Sequence, residues 1–316
     1  MKKAFEKLNL RDYGVLLGFL ALCIAISIAT PSFLGKQNIL NLLRQSSIIG
    51  IISAGMTFVI ISGNFDISVG AVAALAGAIT MKFATGGTNL FASMLLGVAI
   101  CAVIGLINGI VVAKINVPSL IATMAIVTIV RGLLLMLTGG YPITENIPIL
   151  DYIGNGYLFS IPIPVVIFFI VVLVSFIVLN KTKFGRYVYS VGGNQEASKL
   201  NGINVDSHKV KVFIINAVLA GIAGIVLTGR LGTATAIAGE GYDMDAIASV
   251  VIGGTSVAGG SGSVLKTVIG VLLMSVINNS FNLLGIDVYF QYIFKGLIIL
   301  AAVGFDSYSK KKLASR

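Results

Sequence analysis

Ten apolar stretches, separated by short polar segments, constrain this chain more than any other feature. They fall at 13–29, 44–62, 67–83, 90–113, 119–138, 161–180, 212–229, 244–258, 264–284 and 290–305. Several reach the ~20 residues that cross a bilayer as a helix. Charged residues make up only 11% of the 316 and hydrophobic ones 57%, with a mean hydropathy of +1.00. A soluble core of this length does not require so little charge. The expected fold is therefore an all-α membrane protein of about ten transmembrane helices, in a single domain over 1–316. The stretches starting at Ile67 and Met244 are short and are expected to be partly re-entrant.

The net charge of +10 does not mark a nucleic-acid face. Fourteen of the 22 Lys/Arg lie in the N-terminal dozen residues, in 181–211 and in the tail from Lys310. Lys and Arg resist translocation, so these segments belong on the cytoplasmic side, with headgroup contact where they meet lipid. An even number of spans then puts both termini inside. The segment 139–160 carries two acids and no Lys or Arg and falls outside; Lys114 falls inside, whereas Lys36 and Arg44 run against the rule. Lys2, Lys3 and Lys7 before an apolar run resemble a signal peptide, but no small-residue cleavage site follows, and the segment reads as a retained first helix.

The longest polar segment, 181–211, holds six Lys/Arg (Lys181, Lys183, Arg186, Lys199, Lys209, Lys211) against Glu196 and Asp206. Within it, 194–200 (NQEASKL) has the composition of a short helix, punctuated by Gly192, Gly193 and Gly202. Glu196 and Lys199, three apart, share a face of it. Such a helix is either a solvated piece of an orienting loop or a handle offered to a soluble partner.

Two apolar runs are interrupted at membrane depth, which is tolerated only where backbone is buried in protein or lines a cavity. SGNFDISVG (62–70) breaks the first; GEGYDMD (239–245) and VAGGSGS (257–263) bracket the second. Asp66 and Asp245 each open a small-residue helix, followed by LGVAICAVIGLING and IGVLLMSVINNS. Arg131-Gly132-Leu133 and Lys295-Gly296-Leu297 then close the two units. Their offset of five spans predicts two inverted-repeat-like halves around broken helices, as in transporters.

Asp66 is costly in an apolar run unless it caps the helix starting at Ile67, with Ser68 beside it, or meets a polar solute. Asp245 has the same two readings. Arg131 can snorkel to the interface or pair inward with Asp66, and Lys295 reads similarly. Asn108, Asn278, Asn279 and Asn282 either bond across helices or line a pathway, since amides and hydroxyls suit a neutral polar solute. Asp66, Ser68, Asn108, Asp245, Asn278 and Asn279 are the pathway candidates.

No catalytic or metal set is visible. Cys23 and Cys101 lie singly in apolar runs, and His208, the one histidine, reads as solvated. GGTSVAGGSGSVLKT (253–267) imitates a phosphate loop, yet Leu265 stands where glycine must precede Lys266. The chain is expected to bind no cofactor and to be no enzyme by itself.

The segments GMTFVIISGNFDISVG (55–70), IATMAIVTIVRGLLLMLTGGYPI (121–143), FGRYVYSVGGNQEASKLNGINV (184–205), AGEGYDMDAIASVVIGGTSVAGGSGSV (238–264) and INNSFNLLGI (277–286) resemble ribose-type permease subunits of bacterial ABC sugar importers. One departure is Asn64-Phe65, where that family commonly has Gly-Ile. The resemblance implies a multi-pass protein of the bacterial plasma (inner) membrane, forming a homodimeric pore. It implies a separate cytoplasmic ATPase chain using ATP and magnesium, and an extracytoplasmic sugar-binding protein. Gly193, Asn194, Glu196, Ala197, Lys199, Leu200 and Gly202 would then dock into the ATPase as the coupling segment. The implied solute is ribose or a similar monosaccharide. Xylose, galactose, a furanosyl signalling molecule or a branched-chain amino acid, and an ATP-independent facilitator, stand as alternatives.

Overall fold

The structure is a computed structural model and describes residues 10–314. The basic positions Lys2, Lys3 and Lys7 lie outside those residues. The described chain is helical almost throughout: α1 (Leu10–Ala29), α2 (Lys36–Ile61), α3 (Val69–Thr85), α4 (Leu90–Ala113), α5 (Ser119–Thr138), α6 (Pro148–Asn155), α7 (Ile163–Lys181), α8 (Lys183–Gly193), α9 (Gln195–Leu200), α10 (Val205–Leu231), α11 (Tyr242–Ile252), α12 (Val264–Leu283) and α13 (Val288–Ala314). Six of them (α2, α4, α5, α7, α10 and α12) are long and apolar enough to cross a membrane, and α3 and parts of α1 and α13 are shorter apolar helices.

Two helices hold the assembly together. α2 is buried without interruption from Ser46 to Ile61, and α10 packs against α2, α3, α4 and α6. Burial and hydropathy run in opposite directions here. The least apolar of the six long helices, α2, is the most buried, while α7, the most apolar, is largely exposed. A helix facing lipid must be apolar on every outward position, whereas one enclosed by other helices can carry Ser and Thr. α2 does so: Ser46, Ser47, Ser53 and Thr57 all donate to carbonyls one turn back.

Close approach around α10 depends on residues without a side chain. A Cβ at Gly224 would lie 1.9 Å from the Ala73 carbonyl oxygen of α3, and one at Gly105 would lie 2.6 Å from the Phe213 carbonyl oxygen. These contacts are backbone on one side, so rotamer changes cannot relieve them.

The segment 139–160, expected to fall outside, holds α6 and two short strands, and a third covers Ile161–Pro162 at the start of the expected span 161–180. β1 (Ile143–Thr144) pairs antiparallel with β4 (Thr233–Ala234), and β2 (Tyr157–Leu158) with β3 (Ile161–Pro162). Phe159 and Ser160 both have positive φ, the two-residue turn geometry that suits hairpin twist. Arg44, which ran against the charge rule, is consumed within this layer. It is 6% exposed, donates to the Asn155 carbonyl at the end of α6 (3.0 Å) and lies 4.9 Å from the Tyr157 ring centroid. α2 starts at Lys36 rather than at 44, and Asn38 in its first turns is held by α12.

Replacing Gly224 by alanine should lower stability by about 1–3 kcal/mol, the usual cost of overpacking. Alanine at Gly132, where a Cβ meets nothing within 4 Å, should leave it unchanged. Thermal unfolding of the detergent-solubilised protein compares the two directly.

Candidate functional site: two buried carboxylates and a helical handle

The first break, between α2 and α3, is built around Asp66, 1% exposed. Its Oδ1 accepts from the Ser68 backbone N–H (2.9 Å) and hydroxyl (2.5 Å), and its Oδ2 accepts from Asn216 Nδ2 of α10 (2.9 Å). Asn108 of α4 donates to the Ser68 hydroxyl oxygen at 3.0 Å. The neighbouring amides are met from α5, Phe65 N–H by the Ser119 hydroxyl (3.1 Å) and Ile67 N–H by that of Thr123 (3.2 Å). A carboxylate in an apolar bundle needs such donors, because leaving it bare would cost several kcal/mol. The helix itself starts at Val69 rather than Ile67, so the Asp66 carboxylate turns the chain three residues before the first helical position. Asn64 folds back on Ser62, donating to its carbonyl and hydroxyl oxygens.

The second break centres on Asp245, 3% exposed in the first turn of α11. Lys295 of α13 lies 3.1 Å from both carboxylate oxygens, and Asn278 of α12 donates to Oδ2 at 3.3 Å. The Lys295 side chain is 23% exposed; the ammonium therefore pairs inward instead of snorkelling. Arg131 corrects its expectation too. It neither snorkels nor reaches Asp66, but donates to the carbonyls of Ala236 and Ala238 in the loop before α11. The physical reason is common to both: the loop before α11 and the first turn of α11 present acceptors within hydrogen-bond reach of the two cations. The breaks also touch each other, since a Cβ at Gly70 would fall 2.3 Å from the Gly239 carbonyl oxygen.

Asn279 belongs to neither cluster. It forms a reciprocal amide pair with Asn38 of α2, at 3.0 and 2.8 Å, and Asn282 accepts from Gln291. The six pathway candidates thus fall into three buried groups. Asn216, which completes the Asp66 group, was missed by sequence reasoning. The signal existed, since it is an amide within the apolar run 212–229 like the four that were singled out. A cavity of about 200 Å³ lies elsewhere, lined by Met81, Thr144, Leu150, Asp151, Thr228 and Gly232 among others.

The polar segment 181–211 folds as two helices, where one was expected. α8 is capped by Thr182, whose hydroxyl accepts from Gly185 N–H, and buries Gly185, Val188 and Val191. α9 follows after one residue, Asn194, whose Oδ1 accepts from Ala197 N–H at 2.9 Å. Ser198, 1% exposed, anchors α9 to Ser190 of α8 (2.9 Å), which turns Glu196, Ala197, Lys199 and Leu200 outward. Leu200 is 89% exposed, and Glu196 and Lys199 form a loose 3.8 Å pair on the surface. Gly193 and Gly202 are exposed at its two ends. His208, expected to be solvated, is half-buried, its ring 5.8 Å from that of Phe184 and 5.1 Å from that of Tyr187. Burial pushes the nearby Tyr189 phenol above its ordinary pKa, so it is a neutral donor, to the Gly262 carbonyl at 3.0 Å.

Long apolar helices, two broken helices locked by buried polar groups, and a capped handle at one end form the arrangement of a helical membrane permease. The chain belongs to the branched-chain amino acid transport system / permease component family, whose model matches residues 38–303. It is 44% identical to the ribose import permease protein of Haemophilus influenzae over 303 residues, 93% of this chain and 94% of that one. It is 43% identical to the ribose import permease protein of Bacillus subtilis, over 94% of this chain and 93% of that one. The xylose transport system permease protein of Haemophilus influenzae is 34% identical, over 98% and 99%. No solved structure matches the chain.

The Asp245–Lys295 pair should behave as a unit. Asp245→Asn or Lys295→Met alone strands a buried partner and should cost about 3 kcal/mol. The double variant should cost clearly less than the sum of the two. A double-mutant cycle on thermal unfolding in detergent measures that coupling.

Proposed function

We propose that this chain is the permease subunit of an ATP-driven importer, passing ribose or a similar small monosaccharide into the cytoplasm. The observation that carries the ATP-driven part is α9, a helix capped by Asn194, pinned through Ser198 and presenting an almost fully exposed leucine. An apolar side chain held out in this way on a basic, cytoplasm-type segment has the form of a plug for a groove on a soluble protein. The sugar follows from the names of the relatives, ribose import permeases at 43–44% identity.

In this reading a separate ATPase chain hydrolyses ATP with magnesium and receives Gly193, Asn194, Glu196, Ala197, Lys199, Leu200 and Gly202. A sugar-binding protein delivers the solute from outside, and a second copy of the chain completes the pore in lipid. The whole chain, 1–316, acts as one permease domain of about ten spans in the bacterial inner membrane, with both termini in the cytoplasm. Supporting the two-halves arrangement, each buried aspartate is tied to an asparagine on the helix after the one it opens, Asp66 through Ser68 to Asn108 of α4 and Asp245 to Asn278 of α12. The Asp66 and Asp245 groups would line the pathway when the bundle opens, their donors and acceptors exchanging with sugar hydroxyls. The glycine string 253–263 serves backbone packing in this reading, and ATP chemistry falls to the partner.

Vesicles containing this chain, its ATPase and its binding protein should take up labelled ribose only with ATP. Leu200→Ser should cut uptake at least about tenfold, as the loss of a buried interface anchor does, with subunits still assembled. Uptake indifferent to ATP and to Leu200 would identify a facilitator instead. ATP turnover without ribose movement, but with xylose movement, would keep the machine and change the sugar.

A further inference from the structure

The handle is fastened to both broken helices at one point, and the fastening is backbone against backbone. Gly192, near the end of α8, lies so close to the end of α2 that a Cβ on it would fall 1.7 Å from the Ile61 carbonyl oxygen. The same hypothetical Cβ would lie 2.8 Å from Gly260 N, in the loop between α11 and α12. Gly260 N–H in turn donates to the Ile61 carbonyl at 2.8 Å. Gly259, at φ +84°, brings its own Cβ direction within 2.8 Å of the Gly192 carbonyl oxygen and 2.9 Å of Gly63. Tyr189, one turn back on α8, donates its hydroxyl to the Gly262 carbonyl. Three segments therefore meet here: the start of the first break, the loop that ends the second, and the last turn of α8.

The geometry points to Gly192 and Tyr189 as positioning residues that join α8 and α9 to both breaks at once. The inference rests on the ATP-driven reading above and adds where the motion goes. Ile61 is five residues from Asp66, and the 253–263 loop continues directly from α11, which carries Asp245. A contact made through long side chains can absorb a small shift by changing rotamers, but close-packed backbone cannot. A displacement of α9 by a docked ATPase would thus move the end of α2 and the end of α11 together. α9 is fixed to α8 by Ser198 and Ser190, with Asn194 as the one residue between the two helices. Glycine is required at Gly192 for reach, not for φ.

Proximity marks a route, while coupling along it is a free energy that must be measured. The complete complex of this chain, its ATPase and its binding protein would be reconstituted in liposomes, and labelled-sugar uptake and ATP hydrolysis recorded in parallel. The readout is sugar moved per ATP, which a merely structural contact would not shift in assembled complexes. Tyr189→Phe keeps the ring and removes only the hydroxyl, and should lower the ratio about fivefold; Gly192→Ala should lower it about tenfold, both within the range of measured site couplings. Basal ATP hydrolysis should persist in both, and Gly132→Ala should match wild type. If Gly192→Ala fails to assemble, Tyr189→Phe alone decides. An unchanged ratio in Tyr189→Phe overturns the inference while leaving the transport reading intact. A wild-type complex that shows no ATP-dependent uptake of ribose or xylose overturns the transport reading, and the inference with it.

Discussion

Interrupting a helix inside an apolar bundle frees backbone groups that lipid cannot satisfy, and the architecture follows from meeting them. At the first break the Ser68 amide goes to Asp66, and the Phe65 and Ile67 amides go to hydroxyls at the start of α5. Before the second break, the carbonyls of Ala236 and Ala238 are met by Arg131, from further along the same α5. One helix thereby serves both irregular segments, which explains a cation where hydropathy alone forbids one. Asp66 then needs donors of its own, and these come from α10 through Asn216 and from Ser68, itself held by Asn108 of α4.

That polar web sits in a close-packed centre, where each buried polar group needs a partner. α2 and α10 supply it by carrying small residues where neighbours cross. A Cβ at Gly55 would meet Asn216 Oδ1 at 2.5 Å, so the amide that holds Asp66 exists at that position because α2 has a glycine opposite. Outside this centre the demands reverse. α4, α5 and α7 present mostly exposed apolar faces, which suits lipid or another protomer and needs no specific partner. The buried centre is itself largely apolar and carries its polar groups at the breaks, while the outer faces of these helices are apolar as well, unlike the surface of a soluble domain.

Much of this was legible in the sequence because hydropathy reports burial in lipid directly. The limits of α4 and α5 are those expected from the apolar stretches 90–113 and 119–138. The breaks at Asp66 and Asp245 were legible from one carboxylate each in an apolar run. What escaped was pairing. Arg131 and Lys295 read as interfacial because their distance from a helix end is visible, while the acceptors that claim them lie 105 and 50 residues away, at Ala236 and Asp245. α8 escaped because it is amphipathic and charged, with its apolar positions Val188 and Val191 spaced among Arg186, Tyr187 and Ser190. α6, β1 and the β2–β3 hairpin are too short to leave a period.

If the two carboxylate groups line the pathway as proposed, the difference between them bears on the solute. Asp66 is held by neutral partners, a hydroxyl, a backbone amide and a side-chain amide. Sugar hydroxyls offer the same kind of donor and acceptor, so exchanging one for the other carries no net charge penalty. Asp245 is already balanced by Lys295, and Arg131 is occupied by two carbonyls. A branched-chain amino acid would bring a carboxylate and an ammonium and would have to break one of those arrangements, stranding a buried charge at a cost of several kcal/mol. On that reading, the interior of this chain suits a neutral, hydroxyl-rich solute, within a family that is named for amino-acid transport.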